Sequence, residues 1–130
     1  MTLLNLADIL AEILDFDDVY AGCLDGTKEK SIGIYNSKNP QPKRICIGGK
    51  ACTRTLYKDI TILIHWTDNP TQADVEAEFV ANKLDEIREY QHEGFTIKLV
   101  QPNNKVWVGR DEKGICEYVI NTTVIYERND

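Results

Sequence analysis

The sequence has few of the residues and patterns on which metal sites depend. It contains only two histidines, His65 and His92, which stand far apart, and its cysteines form no C-x-x-C pair. Zinc sites need clustered cysteine and histidine ligands, so the sequence predicts no metal site. We expect all four cysteines to be small buried thiols. They are Cys23, Cys46, Cys52 and Cys116.

Long apolar runs are also missing. No stretch approaches the roughly 18–20 apolar residues that cross a membrane. The apolar start, MTLLNLADILAEILDF, follows no basic segment and is interrupted by Asp8 and Glu12, so it does not match an export signal. We therefore expect no membrane partner and a protein that is made and used in a reducing cytoplasm.

Catalytic motifs are scarce as well. The Gly48-Gly49-Lys50 segment lacks the upstream glycine and the following serine or threonine of a phosphate-binding loop. His65 lies on a predicted strand with no nucleophile motif nearby, which favours a solvent-facing or interface histidine. Catalysis would require polar partners that converge on His65 or Cys46 in space. We expect no enzyme activity, no catalytic residue and no cofactor.

The remaining composition is that of an ordinary folded domain. The chain has 130 residues, 42% hydrophobic and 28% charged, which is enough to bury a core in one domain spanning residues 1–130. Apolar residues at three- and four-residue steps predict a helix over residues 2–14, capped by Thr2. Alternating apolar residues predict strands, which together give an α+β fold. The predicted strands are residues 18–24, 31–35, 56–66, 95–100, 106–110 and 115–126.

A second and longer helix is predicted over residues 70–91. Asn69 or Thr71 can cap it, and Pro70 suits its first turn, where a missing N–H costs nothing. Its buried stripe is expected to consist of larger apolar residues. They are Val75, Phe79, Val80, Leu84, Ile87 and Tyr90.

Charge is distributed unevenly along the chain. The net charge is −6, from 21 acidic and 15 basic residues. No acidic residue lies between Glu29 and Asp59, a window that holds seven lysines and arginines, while the rest of the chain carries −13. Copies of such a molecule can meet head to tail, with the basic segment of one against the acidic body of the next. This heterologous contact can close into a ring.

Much of the basic window is a long connection, residues 36–54, in which the periodicity disappears. A connection of this length in a compact domain is usually functional or disordered. We predict that residues 43–54 form a protein interface, in which the lysines and arginines supply charge and the glycines let the chain bend. The interface residues are Lys43, Arg44, Gly48, Gly49, Lys50 and Arg54, and their acidic acceptors are Asp74, Glu76 and Glu78, or alternatively Asp17 and Asp18.

Three other interpretations of the basic window remain open. It can be an ordinary solvated loop. It can touch DNA through phosphate contacts, although its only aromatic residues, Tyr35 and Tyr57, both fall in predicted strands and offer no stacking platform. Alternatively, the protein is a small cytoplasmic adaptor or inhibitor that binds an acidic protein through loop 36–54.

The order of these elements resembles a known family. The strand ITILIHW passes through Asp68-Asn69-Pro70 into a helix with Ala77, Ala81 and Leu84, and the chain ends with the strand YVINTTVIYE. In these features residues 2–127 resemble the minor capsid and tail terminator proteins from the head–tail region of phages and prophages of Gram-positive hosts.

The resemblance implies both a fold and a role. The fold is a mixed or antiparallel sheet with two helices packed on it. The role is a structural one without catalysis: a homo-oligomer, forming a hexameric ring in the virion and monomeric in isolation until it meets the tube. The ring lies at the head-proximal end of the tail, between the tail tube protein and the head connector proteins. DNA passes through it without specific binding, and the ring is built in the host cytoplasm.

Overall fold

The chain folds as two helices and a curled sheet of seven strands. The computed structural model describes residues 1–23, 29–37, 55–92 and 94–128. Its elements, in chain order, are α1 Leu3–Leu14, β1 Val19–Ala21, β2 Ser31–Asn36, β3 Thr55–His65, α2 Pro70–Asp85, β4 Arg88–His92, β5 Phe95–Pro102, β6 Val106–Arg110 and β7 Cys116–Arg128.

The sheet has the strand order β1-β2-β3-β7-β5-β4, and β6 pairs with β7 off this path. β1 is parallel to β2, while the other strand pairs are antiparallel. The central pair, β3 and β7, keeps one register from Thr55↔Glu127 to His65↔Glu117 without a bulge. The predicted α+β fold with a mixed sheet is confirmed.

One face of the sheet carries the hydrophobic core. Ile60, Ile62 and Ile64 alternate onto this face of β3 and are at most 1% exposed. β7 contributes Ile120, which lies opposite Ile62, and Val124, four residues further along the same face. Both helices add their buried residues to the same cluster. These helix residues are Leu6, Ala7, Ile9, Leu10 and Leu14 from α1, and Ala73, Ala77, Val80 and Leu84 from α2.

The helix starts follow the predicted capping. The Thr2 hydroxyl accepts a hydrogen bond from the Asn5 amide at 3.1 Å, and the Asn5 side chain accepts one from the Thr2 amide at 2.9 Å. The Asn69 side chain accepts from the amides of Thr71 and Gln72, and Pro70 is the first residue of α2. These bonds satisfy amides that otherwise have no partner in the first helical turn. Neither helix is long and apolar enough to cross a membrane, within the described part of the chain.

The predicted end of the second helix is wrong. α2 stops at Asp85, and residues 88–92 form strand β4, which pairs with β5. Glu89 takes a positive φ of 51°, which no helix continues through. Ile87 and Tyr90 fit a helical stripe as well as they fit a strand, so their spacing does not distinguish a helix from a strand. Backbone pairing with β5 makes this segment a strand.

The predicted buried stripe of α2 is also partly wrong. Val75 is 63% exposed and Phe79 is 42% exposed, whereas Ala73 and Ala77 are fully buried. Small side chains let the helix backbone approach the sheet closely. The stripe therefore passes through alanines, and two of the larger apolar residues face outward.

Replacing Ile62 tests this core. Ile62 is fully buried between Ile34 on β2 and Ile120 on β7. We expect Ile62→Ala to lower the free energy of unfolding by about 3 kcal/mol, because it removes buried methyl groups and leaves a cavity. Urea unfolding measures the change. The control is Leu4→Ala on α1, where the leucine is 62% exposed and a change under about 0.5 kcal/mol is expected. Equal losses in the two variants would contradict the assigned core.

Candidate assembly surfaces

The described residues include only the two flanks of the basic window. Lys30 precedes β2, and its ammonium lies 5.3 Å from the centre of the Trp66 ring. Lys58 lies on β3 and is half-buried. The predicted interface residues Lys43, Arg44, Gly48, Gly49, Lys50 and Arg54 lie outside the described residues, and their role stays a prediction.

Two of the predicted acidic acceptors share one cation. Asp74 and Glu78 are four residues apart and lie on one face of α2. The Lys105 ammonium donates to Glu78 and lies 3.4 Å from Asp74. The hydrogen bond to Glu78 raises the pKa of Lys105, and Asp74 adds to this effect. The cluster therefore carries one net negative charge and ties α2 to the start of β6.

The third predicted acceptor, Glu76, points elsewhere. Residues two positions apart on a helix lie on different faces, so Glu76 does not share a face with Asp74 or Glu78. Glu76 is half-buried, and this burial raises its pKa, an effect that the positive charge of Lys30 opposes. The structure thus brings Asp74 and Glu78 together but places Glu76 nearer to the flank of the basic window.

The alternative acceptors, Asp17 and Asp18, lie directly before β1. Asp17 is exposed. The Asp18 carboxylate accepts a hydrogen bond from the Tyr20 hydroxyl at 3.1 Å. Both carboxylates therefore stand at the outer end of the sheet, beside its edge strand.

His65 is buried, at 6% exposure, which corrects the expectation of a solvent-facing side chain. Its Nδ1 lies 2.9 Å from the Glu29 carbonyl oxygen, and its Nε2 lies 2.7 Å from Asp111 Oδ2. A carbonyl oxygen only accepts, so Nδ1 donates to Glu29. Both ring nitrogens are thus occupied, and neither is left to take a proton from a nucleophile. The contacts arise because the sheet brings Glu29 and Asp111 to β3 from distant parts of the sequence.

Asp111 organises the turn between β6 and β7. One carboxylate oxygen accepts from the amides of Lys113 and Ile115, each at 2.9 Å, and the other faces His65. The hydrogen bond from His65 and the backbone bonds hold the pKa of Asp111 below its usual range. This pair of side chains joins the turn to β3, which is a structural task. Among the described residues no cluster of ligands could hold a metal ion.

Two of the four cysteines can be placed. Cys116 at the start of β7 is fully buried, as predicted. Cys23 is exposed, which corrects the expectation for that thiol. It follows Gly22, which has a positive φ of 78° and comes directly after the end of β1. Cys46 and Cys52 lie outside the described residues.

The face of the sheet opposite the helices forms an open groove of about 790 Å³. Polar side chains pair with one another across its floor. Thr61 donates to the Asn121 side chain at 2.8 Å, and Thr123 donates to Asp59 at 2.7 Å. Leu63 and Val119 add apolar surface beside them. The polar groups satisfy each other, which is more typical of a contact surface than of a catalytic pocket.

Strand β6 is the surface that sequence reasoning missed. Val106, Trp107 and Val108 are 51%, 45% and 54% exposed. The Trp107 ring packs edge-on against Tyr118, with 5.2 Å between centroids. One signal was present in the sequence: three consecutive apolar residues with Lys105 and Arg110 at their ends, without the polar alternation of a half-buried strand.

Comparison with protein families identifies a family whose model matches most of the chain. Residues 11–128 match the family described as bacteriophage tail terminator protein. The chain belongs to this family. The match runs from within α1 to the end of β7, so it includes every strand of the sheet. This tail terminator family member is therefore a phage structural protein, and the resemblance drawn from its sequence is confirmed.

A solved structure shares the fold. A chain described as "Virion of native gene transfer agent (GTA) particle" superposes on this tail terminator family member with a TM-score of 0.56 and 13% sequence identity. The alignment covers 98% of this chain and 90% of that chain. At this identity the likeness shows a common fold. No curated protein sequence matches the chain.

The His65–Asp111 pair predicts a pH-dependent contribution to stability. The pKa of Asp111 lies below its ordinary value of 3.8 in the folded state. Its contribution is therefore complete above the unfolded pKa and is lost as the pH falls through the folded pKa. We expect Asp111→Asn to lower the thermal midpoint at about pH 5.5, and the gap from the wild type to shrink towards about pH 3.

The matched control is Glu112→Gln at the next position. Glu112 is exposed, and its side chain makes no hydrogen bond within the described residues. Thermal melts followed by circular dichroism should show little effect of this change at either pH. A gap for Asp111→Asn that stays constant with pH would refute the electrostatic account of the turn.

Proposed function

We propose that this tail terminator family member assembles at the head-proximal end of the phage tail. There it stops growth of the tail tube and joins the tail to the head connector, without catalysis. The observation that carries this proposal is the family match over residues 11–128, which spans nearly the whole fold. The protein then acts through its surfaces, and its partners are further copies of itself, the tail tube protein and the head connector proteins.

In this proposal the protein forms a hexameric ring in the virion, from subunits that are made in the host cytoplasm. The charge of the described residues suits such a ring. They carry 18 acidic and nine basic side chains. Such a body repels the DNA backbone, so DNA can pass through the ring without being held or read. Base recognition would need donors and acceptors aimed into a groove of the duplex, on a surface that attracts phosphate.

The basic segment, residues 43–54, joins one copy to the next in this proposal. Its acceptors are the carboxylates of α2, Asp74, Glu76 and Glu78. Lys105 shows how Asp74 and Glu78 receive an ammonium group within one chain. Four charges meet these acceptors, since Lys43, Arg44, Lys50 and Arg54 all lie in the segment. Attraction between opposite charges guides the encounter and sets the order of the copies in the ring.

Loss of the gene tests the role itself. We expect phage particles made without this protein to have overlong tails, or tails that are not joined to heads. Negative-stain electron microscopy measures tail length and the fraction of joined particles. Overlong tails would indicate termination as the main task, and unjoined tails of normal length would indicate joining. Normal particles would refute the proposal.

Charge reversal tests the contact made by the basic segment. We expect Lys43→Glu with Arg44→Glu to reduce the yield of joined particles about tenfold in phage that lack the wild-type gene, because the segment would then repel the acidic helix. The control is Lys98→Glu with Arg128→Glu, which makes the same change in net charge on strands β5 and β7, away from α2. Equal yields from the two double variants would contradict the electrostatic contact. Specific capture of a host protein by the segment would favour the adaptor alternative.

A further inference from the structure

The outward face of α2 carries two apolar side chains that point away from the core. Val75 is 63% exposed and Phe79 is 42% exposed. They are four residues apart on α2, so they are neighbours on one face of the helix, here called the α2 strip. The buried side of α2 lies across the helix axis from this strip. It consists of Ala73, Ala77, Val80 and Leu84.

Carboxylates border the α2 strip on both sides. Each step along an α-helix turns by about 100°, because there are 3.6 residues per turn. Asp74 and Glu78 each come one position before a strip residue, which places both on one side of the strip. Glu76 comes one position after Val75, which places it on the other side. The three carboxylates therefore share no single face, but they surround one apolar centre.

The α2 strip already attracts one cation of its own chain. The Lys83 ammonium lies 5.7 Å from the centre of the Phe79 ring. The face of an aromatic ring carries negative charge density, and this attracts a cation. Phe79 therefore offers a partner both an apolar contact and a ring face that favours positive charge.

The surface around the α2 strip is acidic. α2 contains four acidic residues and one basic residue. Lys105 adds a second basic residue from the start of β6, which leaves two negative charges in excess. A partner that fits this surface must be apolar and basic at once.

One segment of the sequence has this combination. Lys43 and Arg44 come directly before Ile45-Cys46-Ile47, and these five residues include no acidic one. Isoleucine gains free energy when its apolar surface is buried, and the two cations can pair with carboxylates. The segment thus matches the α2 strip in both charge and hydrophobicity.

Residues 105–110 also combine apolar and basic side chains, but both of their cations are bound within the chain. Lys105 contacts the carboxylates of Asp74 and Glu78. Arg110 donates to the carbonyl oxygens of Asp68 at 2.8 Å and Gly114 at 2.9 Å. These contacts favour the segment over β6 as the partner of the α2 strip.

We propose that the α2 strip binds residues 43–47 of a neighbouring copy. The two isoleucines of the segment cover Val75 and Phe79, while its lysine and arginine meet the carboxylates beside the strip. The strip and the segment are different surfaces, so the contact is heterologous and can be repeated from copy to copy.

This inference deepens the proposed function and rests on it, because it adds an apolar centre to the contact between the basic segment and α2. Exposed ion pairs are weakly stabilising and are screened by salt. Burial of apolar surface is what holds the two copies together once opposite charges have guided their encounter.

Photo-crosslinking at position 79 identifies the partner of the α2 strip. Phe79 is replaced by p-benzoylphenylalanine, an aromatic residue that bonds to nearby C–H groups on illumination, in phage that lack the wild-type gene. Denaturing gels of illuminated particles should show linked dimers of this protein, and peptide mass spectrometry should place the link within residues 43–47. The control is the same replacement of Leu4, which is 62% exposed on α1 and should give no link to these residues.

Other partners would overturn the proposal. A link from position 79 to another protein of the particle, to β6 of a second copy, or to a residue of the same chain would each show that a different surface covers the strip. The absence of any link in illuminated particles would overturn it as well.

Polar replacement tests the apolar centre, and it decides the case in which the variant at position 79 gives no particles. Val75→Ser with Phe79→Ser leaves every charge in place. We expect this variant to reduce joined particles about tenfold, because the burial of two apolar side chains is lost. Thermal melts should show that it stays folded, since both side chains face outward. Leu4→Ser is the control and should give the wild-type yield. A folded strip variant that matches this control would refute the proposal.

Replacing the isoleucines tests the other side of the contact. Ile45→Ser with Ile47→Ser should cause the same loss of joined particles as the strip variant. All four changes together should cause no further loss, because residues that touch act through one contact. A further loss of similar size in the combined variant would show that the strip and the segment act separately, which would contradict their pairing.

These outcomes separate the inference from the proposed function. Normal particles without the gene would remove both. A defect after charge reversal of Lys43 and Arg44, together with a full yield from the strip variant, would leave the proposed contact as one of charge alone and remove only its apolar centre.

Discussion

The structure depends on the pairing of β3 with β7. These two strands keep one register over eleven positions, from Thr55↔Glu127 to His65↔Glu117. Side chains alternate along a strand, so a shift by one residue would turn Ile62 and its neighbours away from the helices. The same register supplies the apolar face that α1 and α2 cover. Without it neither helix has a surface on which to bury its own stripe.

The surfaces on the other side follow from the same pairing. It places Thr61 beside Asn121 and Asp59 beside Thr123, so the open groove has a floor of paired polar groups. β7 pairs with β3 along one edge. It has 13 residues and is longer than β5 or β6, so these two strands pair one after the other along its second edge. β6 therefore stands at the border of the sheet with its apolar residues exposed.

In the proposed function, this protein needs surfaces and charges that act only when copies meet. In this chain those features lie on a body that has ion pairs of its own: His65 is held by Asp111, and Lys105 is held by Glu78. Such contacts stabilise the subunit and leave the recognition of neighbours to its outer surfaces and exposed charges.

Local patterns in the sequence were enough to predict the strand around Ile62, the cap at Asn69 and, through resemblance, the family. They failed where distant residues decide the outcome: the burial of His65 depends on Asp111, 46 residues away, and the clustering of Asp74 with Glu78 about Lys105 depends on where β6 begins. The predicted contact at residues 43–54 lies outside the described residues and stays a prediction. Capping and alternation act within a few residues of the chain, whereas ion pairs and exposed edges exist only once the strand order and register are set.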